Sequence, residues 1–245
     1  MIYKKIQLKG DQKIFFTSDT HYGHKNICRG TSEWDLDNHG GHTSVRDFDT
    51  LEDMNQTIVD NINNHVGEDD YLVHLGDFSF GGIENIWNFR KHLNVKDITF
   101  VLGNHDHHIA NNKELPNCWI RYKDGEYVDL ENSTSDWDDL VNSQELFSSV
   151  HSYLEITVSG DKYKKRTYNL SHFPFVMSDK QHHGRIGLHG HTHSSFIHDG
   201  RSLDVGIDMA YKLFGEYRPF TIEDIDTYME GRTYPQLSHH NKNTN

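Results

Sequence analysis

Five short segments of this chain carry side chains able to hold a divalent metal. They are Ser18-Asp19-Thr20-His21, Gly76-Asp77, Gly103-Asn104-His105-Asp106, Ser171-His172-Phe173-Pro174 and Gly190-His191-Thr192-His193. Carboxylate, carboxamide and imidazole donors without a thiolate suit ions of borderline hardness, and Mn, Fe, Zn, Co and Ni all qualify. Each segment follows an apolar, β-branched run that reads as a buried strand. In an open α/β sheet, ligands gather beyond the carboxyl ends of the strands, where short side chains from distant sequence can meet. Five such groups suggest a binuclear hydrolytic centre. Asp19 and His21 are two apart, as are His191 and His193, a spacing that points both side chains to one side of an extended segment.

The elements that must position these groups can be read along the chain. Residues 13–17 form a buried strand into the first segment, and the first six residues alternate like a strand. Thr50-Leu51-Glu52-Asp53 resembles a capping box, with Asp where Glu is preferred. Leu51, Met54, Ile58, Val59 and Ile62 then recur at helical spacing, and Gly67 closes the segment. Residues 71–75 are a strand delivering Asp77; a helix at 83–93 leads to the strand 98–102 before Asn104. Residues 107–150 are acidic and weakly periodic and read as an inserted loop or lid that sets substrate choice. Residues 153–158 and 163–170 alternate around Ser159-Gly160-Asp161 as a hairpin. A strand at 186–188 feeds the last His pair, followed by a strand near 202–207 and a helix near 221–230. Strand-helix-strand alternation implies an α/β fold. We read one domain over 1–235, with 236–245 a disordered tail.

Composition sets the outer bounds. The 245 residues suffice for a real core. No apolar run approaches the ~20 residues of a membrane helix, and the N-terminus lacks a signal-peptide stretch, so a soluble, cytoplasmic protein is expected. Two cysteines, Cys28 and Cys118, make no disulfide framework. A formal charge of −13 argues against long nucleic acid as a partner, since phosphate neutralisation needs a basic surface. It leaves a phosphate substrate open, because bound cations can be the largest local charges. Of twenty histidines, five lie in the segments above.

The five segments, in this order, resemble the calcineurin-like metallophosphoesterase superfamily over roughly residues 13 to 210. The stretch from Ser18 to Ile27, with Leu75-Gly76-Asp77-Phe78, resembles a small bacterial and phage branch of it. The resemblance implies a four-layer α/β/β/α sandwich with the metal site at strand C-terminal ends. It implies that Asp19, His21 and His193 bind one ion, that Asn104, His172 and His191 bind the other, and that Asp77 bridges them. Two divalent ions are implied, with Mn the expected activator. A metal-bridging hydroxide would attack phosphorus in line, with His105 as general acid and Asp106 either orienting His105 or holding its turn. The substrate would be a small, nucleotide-like phosphodiester or phosphomonoester, the diester favoured. A nuclease on short nucleic acid and a non-enzymatic metal-binding scaffold are the alternatives. A structural zinc site fits poorly, because such sites favour four closed Cys/His ligands.

The chain departs from the family where many members extend the second motif to Gly-Asp-x-x-Asp, often followed by Arg. Here it reads Gly76-Asp77-Phe78-Ser79-Phe80, which argues against a Ser/Thr protein phosphatase and leaves His105 without that partner. His24, Lys25, Asn26 and Arg29 either touch substrate or only brace and solvate their loop. Lys162, Lys164 and Arg166 share one hairpin face, either as basic residues that block a strand edge or as a nucleotide or nucleic-acid contact. Trp119 and Trp137 either stack on a base or pack within the insert.

Overall fold

In the computed structural model, residues 3–34, 45–110, 119–123, 126–127 and 142–234 are described. The first sheet contains β1 (Tyr3–Leu8) and the second opens with β2 (Ile14–Thr17). Helix α1 (Leu51–His65), strand β3 (Tyr71–His74), helix α2 (Ile83–His92) and strand β4 (Asp97–Val101) follow. After the short α3 (His107–Ala110) come β5 (Trp119–Lys123), β6 (Glu126–Tyr127), β7 (Asn142–Glu145) and β8 (Ser149–His151). The C-terminal half adds β9 (Leu154–Gly160), β10 (Tyr163–Leu170), β11 (Ile186–His189), β12 (Ser202–Asp204), α4 (Ile207–Phe214) and α5 (Ile222–Tyr228).

The chain is α/β. Strands β2, β3, β4 and β8 make a parallel sheet in the order β2-β3-β4-β8. A second, mixed sheet runs β1-β9-β10-β11-β12, in which only the β9–β10 pair is antiparallel. All four residues of β2 are buried, as expected of a parallel strand covered on both faces. Their alternation divides them between two cores. Phe15 joins Leu72, Ile98 and Phe100 against Met54, Ile58 and Ile62 of α1 and Phe89 of α2. Ile14 and Phe16 instead join Val73, Val101, Ile156, Val158 and Tyr168 between the sheets. The Phe16 and Tyr168 rings meet there at 5.0 Å. No helix among the described residues is long and apolar enough to cross a membrane.

Helix α1 starts where Thr50 Oγ1 accepts from the Asp53 amide. The complete capping box is on α5, where Thr221 and Asp224 exchange bonds. Three expectations need correcting. Residues 107–150 are more than a loop: β5, β6 and β7 pair in their own small antiparallel sheet, and β8 is a strand of the parallel sheet. These strands are only two to five residues long, so they leave little periodicity to read. The strand near 202–207 ends at Asp204, and the next eight residues from Ile207 are α4, opened by Gly206. Finally, β10 is interior to its sheet at Tyr168–Leu170, not an edge strand, although Tyr163 to Thr167 pair with β9 alone. There Lys162 pairs with Asp11, and Arg166 makes a two-pronged bond to Asp226 at 3.0 and 2.7 Å. Cys28 is buried as a free thiol; Cys118, Trp137 and the 236–245 tail lie outside the described residues.

Phe100 is fully buried, with its ring 4.4 Å from Phe147, 5.4 Å from His74 and 5.8 Å from Phe78. Phe100→Ala is expected to cost about 3–5 kcal/mol. Urea unfolding should show this as a lower midpoint at unchanged slope.

Candidate metal centre

Every predicted ligand sits just past the C-terminal end of a strand: Asp19 and His21 after β2, Asp77 after β3, Asn104 after β4, His172 after β10, and His191 and His193 after β11. The loops after β2, β3 and β4 thus come from one sheet, and those after β10 and β11 from the other. Two sets of donors form between them. Asp19, His21 and His193 offer atoms that lie within 4.8 Å of one another, as do Asp77, His172 and His191. Each set draws its carboxylate from the parallel sheet and at least one imidazole from the mixed sheet.

The side chains do not converge by strand alternation as the spacing suggested. Asp19, His21, Asp77, His191 and His193 all have left-handed backbones, with φ between 44° and 68°. Asp and His tolerate this region better than most residues, so the ligand types and the kinked loops suit each other. The kinks are held by bonds between loops, from Asp19 N to Gly76 O (2.9 Å) and from His21 N to Asp77 O (3.0 Å). Gly76 (φ 98°) allows a close approach, since a Cβ there would lie 2.5 Å from Gly103 N and 2.7 Å from His172 Nδ1. At Gly190 a Cβ would collide with Ser18 Oγ and Asp19 Oδ2.

Four of the ligands use a second atom on a protein partner. Asp19 Oδ2 accepts the His191 amide at 2.9 Å, which leaves Oδ1 buried without a hydrogen-bond partner among the described residues. That oxygen is 3.9 Å from His21 Nε2 and 3.7 Å from His193 Nε2, too far for a hydrogen bond. The two Nε2 atoms are 3.2 Å apart. Ligand atoms about 2.0–2.2 Å from one ion stand at about that mutual distance. Asp77 Oδ1 accepts the His105 amide at 2.9 Å, and its Oδ2 is turned toward His21 Nε2 (3.5 Å) and His172 Nε2 (3.4 Å). His172 bonds Leu75 O through Nδ1 at 2.8 Å, while its Nε2 meets Asn104 Oδ1 at 3.0 Å.

Asp106 is buried, and its carboxylate accepts from the amides of Asp77 (2.7 Å), Phe78 (3.0 Å) and Gly103 (2.7 Å). Both oxygens are committed to holding the Asp77 and Asn104 loops together. His105 is exposed at the rim with its ring 5.5 Å from His21. The Phe80 ring lies 5.4 Å from that of His105. Of the four substrate candidates, His24 comes against the ligands, 5.5 Å from the His21 ring. The others brace their loop: Lys25 pairs with Glu33, Asn26 Oδ1 accepts the Glu33 amide, and Arg29 pairs with Asp47.

No family model matches the chain. The uncharacterized protein MJ1445 of Methanocaldococcus jannaschii is 33% identical over 97 residues, 39% of this chain and 47% of that protein, about half its length. The gene 66 protein of Mycobacterium phage L5 is 26% identical over 215 residues, 79% of this chain and 86% of that protein. Among solved structures, the protein of unknown function AQ665 from Aquifex aeolicus aligns with a TM-score of 0.51 at 20% identity. That alignment covers 89% of this chain and all of AQ665, and it is a likeness of fold.

Several residues that support the ligands carried no motif. Arg46 is buried and donates to Asp19 O (2.7 Å), Thr20 O (2.9 Å) and both oxygens of Asp208 (2.9 and 3.0 Å). Asp208 in turn accepts from His193 Nδ1 at 2.7 Å, turning Nε2 toward Asp19. Burial alone would raise the Asp208 pKa, but the charge of Arg46 and the bond from His193 hold it far below the usual carboxylate range. Asp204 accepts from Thr192 Oγ1 and the Ser194 amide and so fixes the final His loop. His74 is held neutral, its pKa lowered to about 3 by burial, and bonds Thr20 Oγ1 at 2.9 Å. Charged residues inside the apolar run Leu203-Asp204-Val205-Gly206-Ile207-Asp208 were a legible signal for two of these; Arg46 had none.

The two donor sets therefore fit two divalent ions, with His172 and His193 each backed through Nδ1 and their Nε2 atoms left toward the carboxylates. Asp208→Asn is expected to weaken metal binding about 10–100-fold with the fold retained, since partners that orient ligands carry that much affinity. Titration calorimetry and circular dichroism would check it; unchanged affinity would remove Asp208 from the support. A second expectation concerns pH. Burial lowers the His172 pKa, but the bond to Asp77 and the charges of Asp19 and Asp77 prevail and raise it to about 9. Below pH 9 the metal-free His172 carries a proton that an ion must displace. Metal binding at pH 7–8 should release that proton, and affinity should fall as pH drops. Calorimetry in buffers of different ionisation enthalpy reads the release directly.

Proposed function

We propose that this chain is a metal-dependent phosphoesterase of the calcineurin-like kind, with the four-layer α/β/β/α order of that family. The carrying observation is Asp77 Oδ2, 3.5 Å from the Nε2 of one donor set and 3.4 Å from that of the other. A single oxygen facing two adjacent sets is what a bridging ligand requires. Asp19, His21 and His193 hold one ion, Asn104, His172 and His191 the other, and Mn is the ion we favour. When bound, such a pair lowers the pKa of a shared water and offsets charge on the phosphoryl oxygens.

The chain's own groups supply the rest. His105 belongs to neither donor set, stands exposed beside His21, and is pinned through its amide to Asp77. Its imidazole gives a proton to the departing oxygen. Asp106 is a positioning residue for the loops on either side. A small, nucleotide-like phosphodiester is the favoured substrate over a phosphomonoester. Arg46, the guanidinium that touches the ligand loops, is used up on Asp208 and two carbonyls, so it adds no charge for a phosphomonoester dianion.

The test is hydrolysis of bis(4-nitrophenyl) phosphate and 4-nitrophenyl phosphate by metal-stripped protein resupplied with Mn. The diester should be cleaved faster. His105→Ala should lower kcat by about 10²–10⁴ while two ions per chain remain bound. Unchanged turnover in that variant would remove His105 as the acid. No cleavage with Mn, Fe, Zn, Co or Ni would overturn the phosphoesterase reading in favour of a metal-binding scaffold.

A further inference from the structure

Two partly exposed phenylalanines lie against different groups at the ligand array. Phe80, in the loop after β3, is 39% exposed, with its ring 4.0 Å from His24 and 5.4 Å from His105. Phe173, in the loop after β10, is 49% exposed, with its ring 4.6 Å from His191 and 5.1 Å from His172. The Phe80 amide bonds Tyr22 O at 2.8 Å, and Phe173 O accepts from Ser171 Oγ at 2.7 Å. Both residues are thus partly exposed beside donor groups, where core packing gives no reason for them. Small-molecule sites pair a few fixed polar groups with such apolar walls.

We infer that Phe80 and Phe173 are the stacking walls for the two organic arms of the substrate. The site then takes a phosphodiester with a flat aromatic group on each arm, the chemistry that two nucleobases offer. The inference rests on the phosphoesterase reading above. The departing arm lies on Phe80, beside the proton donor His105, and the retained arm lies on Phe173, beside His191. Stacking on a phenyl face tolerates any base, so these walls select for aromatic arms without choosing among bases. A monoester would meet one wall and leave the other unused.

The experiment compares bis(4-nitrophenyl) phosphate with methyl 4-nitrophenyl phosphate on Mn-loaded protein. The two esters share charge and leaving group and differ only in the retained arm. Phe173→Ala should lower kcat/KM on the bis-aryl ester about tenfold more than on the methyl ester. Phe80→Ala should lower both by a similar factor and keep their ratio. Phe173→Leu, which keeps bulk against His191 without the ring, should behave as Phe173→Ala, and Phe173→Tyr should restore the wild-type ratio. Metal content measured on each variant separates a lost ion from a lost wall. Equal losses on both esters for Phe173→Ala and Phe173→Leu, or none, would overturn the inference and leave the phosphoesterase reading intact. Wild-type protein that cleaves neither ester would overturn the phosphoesterase reading itself.

Discussion

Two carboxylates, Asp19 and Asp77, lie almost out of reach of water at the junction of two sheets, and a buried charge must be answered by its surroundings. Much of the local architecture is that answer. The His191 amide reaches Asp19, the His105 amide reaches Asp77, and the Arg46 guanidinium sits behind the Asp19 loop. Even so, burial pushes the Asp19 pKa up to about 7, against the pull of the His193 and His172 charges. Among the described residues, protein groups alone leave one Asp19 oxygen without a hydrogen-bond partner. A cation placed between Asp19, His21 and His193 would complete the compensation, since bound divalent ions are large local charges.

Backbone geometry carries a matching cost. Left-handed φ angles at five of the ligand positions each oppose folding by about 1–3 kcal/mol when the residue is not glycine. The opposing force comes from the two sheets, whose strands β2, β3, β4, β10 and β11 are buried at the ends from which the ligand loops leave. Rigid parallel strands aim the loops, and bonds from loop to loop keep them kinked. Asp106 shows the arrangement most simply, since one carboxylate ties the second and third loops together through three amides.

Much of this was legible in the sequence because strand, glycine and ligand occur together. Ile14 to Thr17 before Asp19, and Tyr71 to His74 before Asp77, are apolar runs whose ends mark where ligands emerge. The α/β alternation followed from the same runs. What stayed hidden was anything set by contacts between distant segments. Arg46 stands alone in a polar stretch, and only the folded chain brings it under Asp19 and Asp208. Helix α4 was masked because Leu203 to Ile207 alternates like a strand and only Gly206 marks the change. The direction of His21 and His193 was misread for a related reason: sequence spacing assumes regular backbone, and these loops are not regular.

Because each donor set takes groups from both sheets, the order of synthesis matters. Asp19, His21, Asp77 and Asn104 leave the ribosome long before His172, His191 and His193 exist. At about 5–20 residues per second, the interval between Asp77 and His193 is roughly 5–25 s. During that time the growing chain carries carboxylates without the imidazoles that complete either set. The strand β1 waits as well, since its partner β9 lies at 154–160. Assembly of the centre is thus a late event in biogenesis, coupled to closure of the mixed sheet over the parallel one.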